Sequence, residues 1–565
     1  MSRTLRILLV LIVLAVLAVI GWRCMRPAPE PAAAPAETAA PVADAVPQSD
    51  DPAAQRIAAD LRRLAHDDMA GRETGTPGYE RAAAFVAAQM AAAGLEPAGD
   101  GGTWFQRVPL LTGTPLRERA RLAIVRKGEV GELRFGDEFL PWSSFSAMEH
   151  AVRAPATFVG HAIHAPELGH DDFAGVDLRG RIAVLLPGAP DSFDDNARAY
   201  YSATREKFTA LSERGAVGAV IVSSPQFEAR VPWARMQAAW DKPAMRLHDV
   251  EGIAVDGFPR LQGVAAVGVA AADRLLFAPG RAAAEVFDRA RDGTGEPFEL
   301  EGEIIIEGGT RIEAIESHNV VGRLPGSDPE LANEHVVHTA HLDHVGVIAM
   351  REGDAIHSGA IDNALGVSIM LESARTLVAA ETAPRRSQLF VALTGEEQGL
   401  LGAQHFVARP TVPREGLVAN INIDMPVLLA PSTDAVVIGA EHSTLQAAVE
   451  AAAEEVGMKL SPDPFPEEVA FVRSDHYAFV RAGIPALYLD GGVESADGER
   501  DPRLALTYFL RNCYHQPCDD ATQPIQYDDA ARLARLSAAV ATRIGNDDER
   551  PRWVPGDFFG ERFGR

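Results

Sequence analysis

Beyond residue 300 the chain repeats one rhythm: a short apolar run, a polar turn, then a helical segment. Strands are expected at His335–Thr339, Gln388–Leu393, Val418–Ile423, Ala435–Ile438 and Ala486–Leu489. Helices such as Ala364–Ala379 and Ser443–Val456 fall between them. This alternation predicts an α/β fold, a mostly parallel sheet covered by helices on both faces. In such sheets ligands bind beyond the carboxyl ends of the strands.

The rest of the chain reads differently. Residues 53–65 and 79–93 have helical spacing, and a Gly-rich turn at 71–78 separates them. From about 141 to 300 short strands recur without any cluster of His, Cys and acids, which predicts a β-rich insert without chemistry of its own. Two parts of one domain, 51–140 and 301–548, would then flank that insert, with a tail at 549–565.

The N-terminus is a membrane signal. Residues Ile7–Ile20 are wholly apolar, with Arg3 and Arg6 before them and Arg23 and Arg26 after. Residues 1–26 are therefore a signal anchor or a signal peptide. No small-x-small cleavage site follows the apolar run directly, which favours the anchor. Residues 27–50, almost all Ala, Pro, Glu, Asp and Val, make a spacer. An acidic body on the periplasmic side of a bacterial inner membrane is the expected location, or the periplasm itself if the segment is cleaved. A net charge of −26 argues against a nucleic-acid partner. Three cysteines exclude a disulfide-stapled scaffold.

The chemistry lies at the strand ends. His-Thr-Ala-His-Leu-Asp-His (338–344), Ser-Gly-Ala-Ile-Asp-Asn (358–363), Thr-Gly-Glu-Glu-Gln (394–398), Asn-Ile-Asp-Met (422–425) and Cys-Tyr-His-Gln-Pro-Cys-Asp (513–519) are five polar turns. They supply His341, Asp362, Glu396 with Glu397, Asp424 and His515. Imidazoles with an excess of carboxylates suit a two-metal zinc site. Strand alternation cannot turn His338, His341 and His344 to one face, so one ligand is expected of the three. Cys513 and Cys518 bracket His515, and two readings stay open: a disulfide or two free thiols. No Gly-x-Ser-x-Gly turn supports a serine hydrolase.

Together with Gly-Arg-Glu-Thr-Gly-Thr-Pro-Gly (71–78), Gly-Glu-Glu-Gln-Gly-Leu-Leu-Gly (395–402) and Ser-Asp-His-Tyr-Ala-Phe (474–479), these turns resemble the co-catalytic di-zinc exopeptidases of metallopeptidase family 28. Segments 172–185 and 213–222 of the insert resemble a protease-associated domain. The resemblance implies two zinc ions per chain and peptide substrates. It implies that His341 and Asp424 bind one zinc, Glu397 and His515 the other, and that Asp362 bridges them. Glu396 would be the general base, Asp343 would orient His341, and Tyr514 would polarise the scissile carbonyl. The peptide after Asp362 is often cis in this family.

Ile361 and Leu365 replace residues more usual in relatives, without removing a ligand, and Met425-Pro426 is a less usual sequel to Asp424. Asp-Asn after the bridge resembles the aminopeptidase branch. The alternatives are a carboxypeptidase, for which Arg473 is a candidate basic residue, a glutaminyl cyclase on the same fold, or a non-catalytic receptor-like scaffold. Oligomeric state is not legible in the sequence.

Overall fold

The computed structural model describes residues 49–276, 281–350 and 353–564. The expected anchor at 1–26 and nearly all of the 27–50 spacer lie outside them. Among the described residues, no helix is long and apolar enough to cross a membrane.

The first part begins with α1 (Pro52–Leu64) and α2 (Pro77–Ala93). Asp51 caps α1 by accepting the Ala53 amide at 2.9 Å, and Pro52 fills its first position. Thr76 and Pro77 start α2 in the same way, and Gly94 at φ 93° stops it. The strands that follow are β1 (Phe105–Pro115), β2 (Arg121–Arg126), β3 (Glu149–Phe158), β4 (Ile182–Leu185), β5 (Gly218–Val222), β6 (Ala244–Leu247), β7 (Gly263–Val267) and the long β8 (Phe298–Leu324). Then come β9 (His335–His341), α3 (Gly366–Val378), β10 (Ser387–Leu393), β11 (Leu417–Ile423), β12 (Asp434–Ile438), α4 (Leu445–Val456), β13 (Ala486–Asp490), α5 (Pro502–Asn512), α6 (Tyr527–Asn546) and α7 (Phe558–Phe563).

The main sheet runs β6-β1-β8-β10-β9-β11-β13-β12. Its centre, β10-β9-β11-β13, is parallel. Every residue of β9, β10 and β11 is buried, as helices on both faces require. One face is covered by α1, α2, α3 and α6, with Ile57, Leu61, Ile369, Met370 and Leu533 in a common core. Phe406, Phe479 and Phe559 fill the other face.

A second sheet is built from β2, the first half of β8, β3, β4, β5 and β7. It does not respect the expected boundaries of 141 and 300. Strand β2 belongs to it although it precedes residue 141. Residues 303–307 of β8 pair with β2, while 310–320 pair with β1 in the main sheet. The change of sheet occurs past Gly308 and Gly309, where a Cβ would meet the His150 ring at 2.4 Å and the Arg119 side chain at 2.9 Å. In return β6, inside the expected insert, adds to the edge of the main sheet. Pairing, which has no local signal, set these boundaries.

Candidate metal centre

Strand β9 delivers His341 at its carboxyl end, where the chain leaves the sheet. His341 Nε2 lies 2.8 Å from Asp424 Oδ1 and 3.3 Å from Asp362 Oδ1. Asp424 follows directly on β11. The other oxygen of Asp362 faces His515 Nε2 at 3.1 Å, and His515 Nε2 is 3.0 Å from Glu397 Oε2. Two donor groups result, His341-Asp362-Asp424 and His344-Asp362-Glu397-His515, each with its donor atoms within 4.8 Å of one another. Asp362 is common to both. The Asp362–Asn363 peptide is cis.

All five expected ligands thus come together, with His344 as an addition. Of the three histidines at 338, 341 and 344, two stand among the donor groups, where one was expected. His338 is a core residue outside both groups, stacked on Phe390 at 4.4 Å and bonded through Nε2 to Gln388 at 3.1 Å. His344 is different: β9 has already ended, so strand alternation no longer governs it. Its Nδ1 donates to Glu397 Oε1 at 2.8 Å.

Asp343 also differs from its expected role. His341 Nδ1 lies nearest the Asp343 carbonyl oxygen, at 3.1 Å, with the carboxylate 3.9 Å away. That carboxylate accepts the Glu396 amide at 3.1 Å and the Thr74 hydroxyl at 3.1 Å. It therefore holds the Glu396–Glu397 turn. Thr74 in turn accepts the Gly395 amide at 3.0 Å, which gives the 71–78 segment a place at the centre. Asn363 ties the two remaining turns, donating to Ile423 O and accepting from the Met425 amide, each at 3.0 Å.

The electrostatics follow from burial. Desolvation alone would depress His341, but Asp424, Glu396 and Asp362 hold its pKa well above the usual value. Burial opposes ionisation of Asp362, yet His344, His341 and His515 keep it well below the usual carboxylate range. Glu396 has no histidine bonded to it. Burial, together with Asp424, Asp475 and Glu397, pushes it well above an ordinary glutamate. The adjacent glutamates are thus driven apart: Glu397, bonded to His344 and facing the His515 imidazole, is held down despite its burial. Tyr514 stacks on His515 at 3.9 Å between ring centres, on a loop closed by the Cys513–Cys518 disulfide.

A largely buried set of three imidazoles and three carboxylates, converging in two groups with one shared member, fits zinc by donor chemistry. His515 Nε2 is buried without a geometrically sound hydrogen bond, as a ligand nitrogen would be. Sequence reasoning missed Arg72 and Asp519, which are buried beneath the ligand turns. An Arg among Gly and Thr, and an Asp four residues past the last His, were the only signals.

Residues 319–541 match the family model described as peptidase family M28. A probable zinc metalloprotease of Pyrenophora tritici-repentis is 45% identical over 74 residues, 13% of this chain and 16% of that protein. The match to this curated relative thus spans about a sixth of the relative's length. Among solved structures, an aminopeptidase from Aneurinibacillus sp. strain AM-1 is similar with a TM-score of 0.50 and 16% identity, over 89% of this chain and 97% of that one. A zinc aminopeptidase from Bacillus subtilis has a TM-score of 0.42 and 17% identity, over 88% and 96%. At 16% identity the likeness to the Aneurinibacillus aminopeptidase is one of fold. The segment that carries every donor residue, residues 319–541, is thus the part of the chain that matches the model of peptidase family M28.

Proposed function

We propose that this protein is a zinc metallopeptidase, and more narrowly a di-zinc aminopeptidase that removes N-terminal residues from peptides. The observation that carries the reading is the pair of donor groups sharing Asp362, with Glu396 beside Glu397 but outside both groups. His341 and Asp424 would hold one zinc, Glu397 and His515 the other. Zinc held there supplies Lewis acidity, polarising a peptide carbonyl and lowering the pKa of the attacking water.

The chain's own residues do the rest. Among the described residues, none holds the Glu396 carboxylate in a hydrogen bond, so it can take a proton from the water and give it to the departing amine. Asp343 fixes the turn that aims it. The Tyr514 hydroxyl donates to the carbonyl oxygen as charge develops there. Unmatched carboxylates attract a free α-ammonium group, which favours substrates with an open N-terminus. The second sheet reads as a protease-associated module, and the chain between its strands β5 and β7 passes the centre: Lys242, two residues before β6, donates to Val345 O at 3.2 Å, next to the His344 turn.

The test is hydrolysis of a peptide series by the zinc-loaded full chain. Acetylating the N-terminus should abolish cleavage and amidating the C-terminus should not; the reverse pattern supports a carboxypeptidase. Metal analysis should give two zinc per chain, and one zinc with full activity would indicate a cyclase-like centre. For location, an anchor at 1–26 would leave the enzyme on the periplasmic face. Protease added to spheroplasts should then release it, and protection of the body refutes that placement.

A further inference from the structure

The 71–78 segment and the residue after Cys518 contribute no donor to either group, yet Arg72 of the first and Asp519 itself are buried against the donor turns. Arg72 is fully buried. Its guanidinium donates to four carbonyl oxygens: Leu342 at 2.8 Å, Leu64 at 2.8 Å, Ser358 at 2.6 Å and Gly359 at 2.8 Å. Leu342 lies between His341 and Asp343, and Ser358-Gly359 leads into Asp362. Its main chain runs along the same turns, Arg72 O accepting the His344 amide at 3.2 Å and Gly71 O the Gly346 amide at 3.1 Å. This approach needs the glycine: at Gly71, φ 66°, a Cβ would lie 2.5 Å from the carbonyl oxygens of Gly346 and His357.

Asp519 grips the second turn from its amide side. Its carboxylate accepts the Ile361 amide at 2.8 Å and the Asp362 amide at 3.1 Å, and its carbonyl accepts the Ala360 amide at 3.2 Å. It is also fully buried. Of the carboxylates around Arg72, Asp519 acts on its charge most strongly. Arg72 thus takes the carbonyls and Asp519 the amides of the strand-end turns that present His341, His344 and Asp362. Asp519 further joins those turns to the disulfide loop carrying His515.

We propose that Arg72 and Asp519 are a pair of positioning residues that preset the metal-ligand turns before metal arrives, so that their loss lowers zinc affinity more than it lowers the stability of the fold. This rests on the di-zinc reading above. The physical ground is that ligand groups bind metal tightly when neighbouring hydrogen bonds have already fixed their orientation, and that losing such a neighbour typically costs about 10- to 100-fold in metal affinity.

The experiment uses the full chain and zinc alone, titrated against a chromophoric chelator. It compares wild type with Asp519→Asn, Arg72→Lys and a control, Asp434→Asn. Asp434 is the matching case remote from the centre: buried, with its carboxylate on the Val493 amide at 3.0 Å and the Glu494 amide at 2.9 Å. Wild type should bind two zinc. Asp519→Asn and Arg72→Lys should keep a native circular dichroism spectrum and lose about 10- to 100-fold in zinc affinity, with activity restored as free zinc is raised. Asp434→Asn should lose thermal stability and keep wild-type zinc affinity. Wild-type affinity in both centre variants, or an equal loss in Asp434→Asn, overturns the proposal. If neither centre variant folds, the pair belongs to the fold and the proposal also falls. A wild type that binds no zinc refutes the underlying reading instead.

Discussion

Replacing Glu396 by Gln separates chemistry from architecture. The change keeps shape and removes only the ability to accept a proton. No hydrogen bond of the Glu396 carboxylate is lost, because none is made among the described residues. Nearby charges are the only other contribution. Asp424, Asp475 and Glu397 oppose ionisation of Glu396, and His341 favours it; removing one of several mutually repelling carboxylates should leave the metal-free fold at least as stable. The catalytic effect should be large, since a positioned general base is worth roughly 10²–10⁴-fold. At about 1.4 kcal/mol per tenfold, that is about 3–5 kcal/mol of barrier. The loss should sit in kcat with KM little changed, because proton transfer belongs to the transition state. Glu397→Gln should behave differently. Glu397 meets His344 at 2.8 Å and His515 at 3.0 Å, so this variant should lose zinc, with activity falling in step. The assay is steady-state peptide hydrolysis with zinc content measured on the same samples. A Glu396→Gln enzyme with near-wild-type kcat at full zinc occupancy refutes the base assignment.

Other consequences follow from single positions. Gly71→Ala puts a methyl 2.5 Å from two carbonyl oxygens at a positive φ, so both melting temperature and zinc retention should fall; an unchanged variant contradicts the close approach. Lys207 is buried in the second sheet's layer, donating to His161 O and Gly188 O at 2.6 Å each, and burial brings its pKa down from 10.5 to about 7. Between those values the unfolded chain holds a proton that the native state has shed, so stability rises with pH by up to about 1.4 kcal/mol per unit. Denaturant unfolding at pH 7 to 9 should show this slope in wild type and not in Lys207→Met, and parallel curves would refute it. Native enzyme should offer no alkylatable thiol at Cys513 or Cys518 until reduced, as intact-mass measurement will show.

What the sequence determined was local and periodic. All five strands expected after residue 300 form, and the two helices named between them, 364–379 and 443–456, start and stop within two residues of expectation, because side-chain period and capping are written in neighbouring residues. The positions of the candidate metal donors were legible for a related reason. In a parallel sheet the carboxyl ends share one edge, so polar residues at successive strand ends converge whatever the strand order. Tertiary structure decided everything that depends on distant partners. β8 is a single strand serving two sheets, and β6 leaves the expected insert for the main sheet. His344 joined the centre because β9 ends three residues before it, and Asp343 proved to hold the Glu396 turn more directly than the His341 ring. Arg72, 270 residues from one of its acceptors, could not be assigned a role from its neighbours. A buried polar group must find partners wherever the fold supplies them, and that supply is fixed only when the chain is closed.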